Sequence, residues 1–393
     1  MKLRNYIILL SIIGFFISCP EIVHAQEPIG SKNSRVETIG SMLDKARADL
    51  DSADVDAART KLAKVQSIID KSGEKEKWPA ATIYSLGHLQ FKAGDKISAY
   101  KNLKIVTSPD KMANIPLKEH TFLFGILGQI YFSRSEYDKA KTYYLKGLNN
   151  VEKHFPEEWQ TIYFFNDKLS ETFEKTGDHR QSIKHLELTL GALSNLKHEK
   201  VIALNRLAVL WNSLGDNEKS SSIFQETMIL ASQYYEPDDI NLMTIIKNWH
   251  SVVAETENKD IFLEELQKMG TRIDHMKEPD SIALQKFYVF YIHVLSESGS
   301  EESAQDYALR LMDLITKSSE PYGSPEIVTP LIMAIKYLIF EKKDFRKSYE
   351  LLDAIAQSKI AEDELEVRTA IMKSVHLLRQ MTALEQNSNT FGD

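Results

Sequence analysis

Residues 121–150 read TFLFGILGQIYFSRSEYDKAKTYYLKGLNN. Phe124, Leu127-Gly128 and Tyr131 lie three and four positions apart, so they share one face of a helix. Ser135 interrupts the pattern, and Tyr137, Ala140, Tyr144 and Leu148 then restart it with the same period. Two apolar stripes separated by a short polar break describe two helices folded back on each other at a tight corner. Gly128 and Ala140 are small where the two stripes must meet closely.

The same order of residues recurs on both sides of this stretch. Leu86-Gly87, Phe91, Gly94-Asp95 and Ala99 form one copy. Leu204, Leu207-Ala208, Trp211, Gly215-Asp216, Ser220 and Phe224 form another, and Leu169-Ser170, Phe173, Gly177 and Ser182 give a weaker one. Corners fall near Gly94, Ser135, Gly177, Gly215, Asn258, Gly299 and Lys343, at intervals of about 41 residues, the signature of a repeat array. Glycine at a corner allows the left-handed conformation that ends a helix, and the following aspartate can cap the next one. No stretch alternates apolar and polar residues, so no sheet is expected. The reading is an all-α array of about eight helical hairpins with a capping helix at its carboxy-terminal end.

These residues resemble the tetratricopeptide repeat (TPR) family, in a long-helix variant. Phe124, Leu127, Gly128, Tyr131, Tyr137, Ala140, Tyr144 and Leu148 supply the family's series almost completely. The resemblance is specific over 80–235 and architectural over 35–79 and 236–358, where Asn258 and Lys343 stand at corners in place of glycine. The organisation expected is a signal segment over 1–25, a flexible lead over 26–34 and TPR-like repeats over 35–235. Divergent hairpins follow over 236–358, then a capping helix over 359–387 and a polar tail over 388–393.

The amino terminus carries Lys2 and Arg4, an apolar run from Tyr6 to Ser18, and Val23-His24-Ala25 before Gln26. A basic head, a short apolar middle and a small residue at a cut site describe a secretory signal cleaved after Ala25. The run is well short of the roughly 20 residues of a membrane-spanning helix. Cys19, the one cysteine, lies within this segment in a loose resemblance to a bacterial lipoprotein signal, where it would carry lipid. Cleavage after Ala25 leaves no cysteine, which excludes a disulfide scaffold, a thiol nucleophile and a cysteine-based zinc site. The expected location is exported, periplasmic or cell-surface, and the absence of an Asn-x-Ser/Thr sequon favours a bacterial envelope over a eukaryotic secretory route. Membrane association is expected only if the segment stays uncleaved or Cys19 is lipidated.

The net charge is −8 with the bases dispersed, which argues against a nucleic-acid partner. No histidine pair has zinc-protease spacing, and no Gly-x-Ser-x-Gly elbow or phosphate-binding glycine loop occurs. His179 and His185 are six apart, about 600° round a helix, and so point to roughly opposite faces. Paired acids such as Glu264-Glu265 and Glu301-Glu302 are sequence neighbours and diverge. No catalytic residue, cofactor or metal is expected. Trp211, Phe173 and Tyr131 match packing positions, whereas Trp159 and Trp249 have no counterpart in other copies and are read as core or as partner anchors.

The family resemblance implies a concave surface lined by first helices. Carried over residue by residue, it gives Tyr84, His88 and Phe91, then Gln129 and Phe132, then Asp167 and Glu171, then Asn205 and Asn212. Helical spacing independently places each set on or near one face. The set is mixed in character and lacks a row of Lys and Arg that would clamp a terminal carboxylate. The function expected is a non-enzymatic scaffold or adaptor that presents this surface to a protein or peptide partner. The alternative is a membrane-tethered or lipidated regulatory or sensory input module controlling a partner. The sequence leaves the oligomeric state open.

Overall fold

The computed structural model describes residues 33–193, 196–236, 239–253, 256, 259–274, 282–317, 327–356 and 365–389. The signal segment, Cys19, the corner at Asn258 and the last four residues lie outside these. The described residues form helices joined by turns, with no strand among them, and the fold class is all-α, a series of helical hairpins. The chain divides into two compact units, one up to Ala203 and one from Leu204.

In the first unit the helices are α1 (Asn33–Asp51), α2 (Val55–Lys71), α3 (Ala80–Lys92) and α4 (Lys96–Val106). They continue as α5 (Leu117–Ser133), α6 (Tyr137–His154), α7 (Trp159–Lys175) and α8 (His179–Ala192). Helix α9 (Lys197–Ser213) carries the boundary between units. The second unit continues with α10 (Asn217–Ala231), α11 (Ile240–Val253), α12 (Lys259–Asp274), α13 (Ile282–Glu297) and α14 (Glu301–Lys317). It ends with α15 (Val328–Lys336), α16 (Phe345–Ala356) and α17 (Leu365–Asn389).

The corners share one construction. Gly94, Ser135, Gly177, Gly215, Gly299 and Lys343 all adopt positive φ, between 52° and 86°. At all of these but Lys343 the next residue turns its N–H back to a carbonyl five positions earlier: Asp95 to Gln90, Glu136 to Tyr131, Asp178 to Phe173, Asp216 to Trp211 and Ser300 to Leu295. This bond and the left-handed residue close the helix end. The side chains of Asp95, Asp178 and Asp216 then accept hydrogen bonds from the backbone N–H groups of Ser98, Gln181 and Lys219. Removing such a cap costs about 1 kcal/mol. Asp216→Ala is therefore expected to lower stability by about that amount, read as a shift in the chemical-denaturation midpoint, and no shift would contradict the capping role.

Packing inside a hairpin depends on the small residue of the first helix. A Cβ on Gly128 would stand 2.4 Å from a ring carbon of Tyr144, which is fully buried and meets Phe164 and Phe165 edge-on. Twelve residues beyond each small position lies its partner on the second helix. Where that partner is serine, its hydroxyl donates to the carbonyl of the small residue: Ser182 to Ser170 at 2.9 Å and Ser220 to Ala208 at 2.7 Å. A buried hydroxyl thereby gains an acceptor without opening the contact.

One element of the second unit departs from regular α-helix. The α-helix ends at Lys336, and Tyr337–Glu341 form a π-helical turn. Tyr337, Leu338 and Ile339 are all buried there, and the Asp344 N–H reaches back six residues to Leu338. The wider turn keeps three consecutive apolar side chains inside before the corner at Lys343.

Candidate first-helix binding face

The residues expected to line the first-helix face divide into three groups. Tyr84 and His88 lie inside the first unit, 1% and 4% exposed. The expectation that they present a surface to a partner is corrected by this burial. They sit one helical turn apart on α3, where the Tyr84 hydroxyl meets His88 Nδ1 at 3.2 Å and Phe122 of α5 packs 6.4 Å from the imidazole. Burial, with Lys92 and Arg47 adding to it, lowers the pKa of His88 from 6.5 to about 3. His88 is thus a neutral core group, and its Nε2 has no hydrogen-bond partner.

Phe91, Gln129 and Phe132 are half-buried. Phe91 packs against the core formed by α1 to α5, and Phe132 meets Tyr137 edge-on at 5.3 Å. Asp167 and Glu171 are also half-buried, and both pair with Lys168, at 3.5 and 2.8 Å. Nothing in the geometry joins these three sets into one pocket. An open groove of about 680 Å³ does occur in this unit, lined by Arg59, Gln66, Asp70, Gln90 and Ser98 among others. Gln66 and Gln90 of its lining are tied to the interior by Asn102, whose Nδ2 donates to Gln66 at 2.8 Å and to Gln90 at 2.6 Å.

In the second unit three first helices carry exposed stripes. On α9, Asn205, Val209 and Asn212 form a stripe at positions i, i+4 and i+7, with Val209 39% exposed. On α11 the exposed stripe is Ile240, Thr244, Lys247 and Ser251, and on α13 it is Ile282, Lys286, Val289 and His293, two of them half-buried. Ile240 is 63% exposed and Ile282 38%.

Polar clasps link neighbouring helices at this face. Asn248 Nδ2 of α11 donates to Asn205 Oδ1 of α9 at 3.1 Å. Between α11 and α13, the two oxygens of Glu297 receive His250 Nε2 at 3.1 Å and His293 Nε2 at 3.2 Å. The His250 ring also meets Phe290 edge-on at 5.3 Å and lies 5.6 Å from Phe262 of α12. Burial lowers the pKa of His250; Glu297 opposes that shift and His293 adds to it. Among the described residues no group of three or more His, Cys, Asp or Glu side chains is set to hold a metal ion.

Sequence reading did not single out Asn248, His250, His293 or Glu297 as a set. A signal was present: Asn205 and Asn248 are 43 residues apart, as are His250 and His293. Like residues at the repeat distance fall on consecutive first helices. Of the two unmatched tryptophans, Trp249 is core, 1% exposed with its N–H donated to Ser221, whereas Trp159 is 44% exposed at the start of α7.

No protein-family model and no curated protein sequence matches the chain. Solved structures are similar to it in fold. The apo form of RapI is 12% identical over 86% of this chain and 99% of its own, with a TM-score of 0.47. The apo form of the quorum sensor NprR from B. thuringiensis is 12% identical over 90% and 94%, with a TM-score of 0.45. A putative kinesin light chain from Podosopora anserina with nearly identical TPR-like repeats is 9% identical over 51% and 100%, with a TM-score of 0.40.

Proposed function

We propose that the protein is a non-enzymatic scaffold or adaptor whose first-helix face binds a protein or peptide partner. The observation that carries this reading is the face of the second unit. There Val209, Ile240 and Ile282 expose apolar surface on three consecutive first helices, two of which are joined by the Asn248–Asn205 bond. Exposed apolar surface rimmed by polar groups is the usual mark of a protein contact site. Side chains held in place before docking lose less entropy when a partner arrives.

The experiment compares partners recovered by the wild type with those recovered by a triple variant, Asn205→Ala, Val209→Glu and Asn212→Ala. These side chains are exposed or half-buried, so the fold is expected to persist by circular dichroism. The reading expects loss of the principal partner. Recovery of the same partner in the same amount, from a folded variant, counts against it.

The cell-envelope setting is part of the same proposal and rests on Lys2, Arg4, the apolar run and the Val23-His24-Ala25 site. No helix among the described residues is long and apolar enough to cross a membrane. Mass spectrometry of the protein recovered from its native source is expected to give an amino terminus at Gln26. An intact amino terminus, or one beginning at a lipidated Cys19, would instead favour the tethered regulatory module.

A further inference from the structure

A second surface of different character lies on the first unit. Tyr100 of α4, Tyr131 of α5 and Tyr143 of α6 pack into one stack. The Tyr100 and Tyr131 hydroxyls are 3.2 Å apart with their rings edge-on at 5.6 Å. Tyr131 and Tyr143 are parallel within 16° at 5.4 Å. Tyr131 is buried, while Tyr100 and Tyr143 are half-exposed along its outer side. Burial and the Tyr100 hydrogen bond hold the Tyr131 phenol protonated, well above its usual range.

Cations cover these rings from outside. The Arg134 guanidinium lies 4.2 Å above Tyr100. Lys104 and Lys146 stand 5.8 and 5.4 Å from the Tyr143 centroid, and Lys104 also donates to the Tyr143 hydroxyl at 3.2 Å. Lys139 lies 5.5 Å from Tyr131 and pairs with Glu136. Among the described residues, Lys104, Arg134 and Lys146 form no salt bridge with a carboxylate. The charge is also regional. Residues 96–155 carry ten Lys and Arg against five Asp and Glu, within a chain of net charge −8.

We propose that this tyrosine stack and its cations form a second docking surface, which takes a short acidic polypeptide segment of a partner protein. Arg134 offers a planar fork for a carboxylate, and Lys104 and Lys146 offer two further positive heads near the Tyr143 ring. The rings supply rigid apolar area between the charges. A long polyanion fits less well, because outside residues 96–155 the chain carries 38 Lys and Arg against 51 Asp and Glu. A second copy of this chain fits less well too. Several carboxylates of the second unit are already paired on their own helices, including Glu264 and Glu265 with Lys268, Asp306 with Arg310, and Asp313 with Lys317.

The test uses the full chain and a fluorescein-labelled hexaglutamate peptide, followed by anisotropy at low and physiological salt. Hexaglutamine, an anionic vesicle of phosphatidylglycerol and a single-stranded 20-nucleotide DNA serve as competitors. The expected result is saturable hexaglutamate binding, not competed by hexaglutamine and weakened several-fold by added salt. Lys104→Glu with Lys146→Glu is expected to lower affinity at least tenfold, while Lys268→Glu with Lys317→Glu changes it less than twofold. All four lysines are exposed, and circular dichroism checks the fold. Absence of binding, or equal binding by both double variants, overturns the proposal. Preferential competition by vesicle or DNA overturns it in favour of that ligand. Concentration-dependent dimerisation abolished by the Lys104/Lys146 variant would assign the surface to a second copy instead.

Discussion

Lowering the pH from 7 to 4 is expected to remove about 3 kcal/mol of stability from the first unit through His88 alone. In the unfolded chain this imidazole takes up a proton near 6.5, while in the fold its pKa falls to about 3. The unfolded state therefore binds the extra proton first. Stability contributed by the neutral imidazole is fully present above the unfolded value and is lost as pH falls from 6.5 towards 3. The cause is burial at 4% exposure, with Lys92 and Arg47 nearby. His185, stacked on Phe173, is lowered too, with the same sign. Comparing wild type with His88→Gln isolates the first residue, because His185 is common to both. Hydrogen exchange of α3 amides against pH, read by mass spectrometry, should show a shallower acid slope in the variant. Equal slopes would mean that His88 is solvated enough to titrate normally. If His88→Gln fails to fold at neutral pH, His88→Met serves the same comparison.

Replacing Trp249 by alanine is expected to cost about 3–5 kcal/mol in the second unit, the range for deleting a large buried aromatic. The indole is 1% exposed and packs edge-on to Phe262 at 5.2 Å. Its N–H bond to Ser221 at 2.9 Å ties α11 to α10, so truncation also removes the hydroxyl's partner. Trp159→Ala, at a 44% exposed position, is expected to cost far less. Urea denaturation of both variants makes the comparison, and equal losses would contradict the burial assigned to Trp249.

Much of the architecture was legible because hairpin corners are local chemistry. A left-handed residue and a capping aspartate need only their own neighbours, so Gly94-Asp95, Gly177-Asp178 and Gly215-Asp216 declare themselves in sequence. Ser135 and Lys343 take the same conformation without glycine. The need for a close approach at Gly128 was also legible, and the structure fills it with the Tyr144 ring. The binding face was less so. Tyr84 and His88 occupy first-helix positions open to a partner in the family pattern, yet here their exposure is decided by α1 and α5, which the local pattern cannot place. Asn248 and the His250–Glu297–His293 clasp depend on the register between successive first helices. The π-helical turn at Tyr337–Glu341 escaped because its apolar run reads equally well as regular helix.

Binding through first helices is the central claim, and photo-crosslinking tests it most directly. A benzophenone amino acid placed singly at Val209 or Lys247, exposed on first helices, is compared with one at Ile229, 45% exposed on the second helix α10. Covalent capture of the same partner from Val209 and Lys247, but not from Ile229, is the result predicted. Capture of that partner from Ile229, with none from either first-helix position, would contradict it.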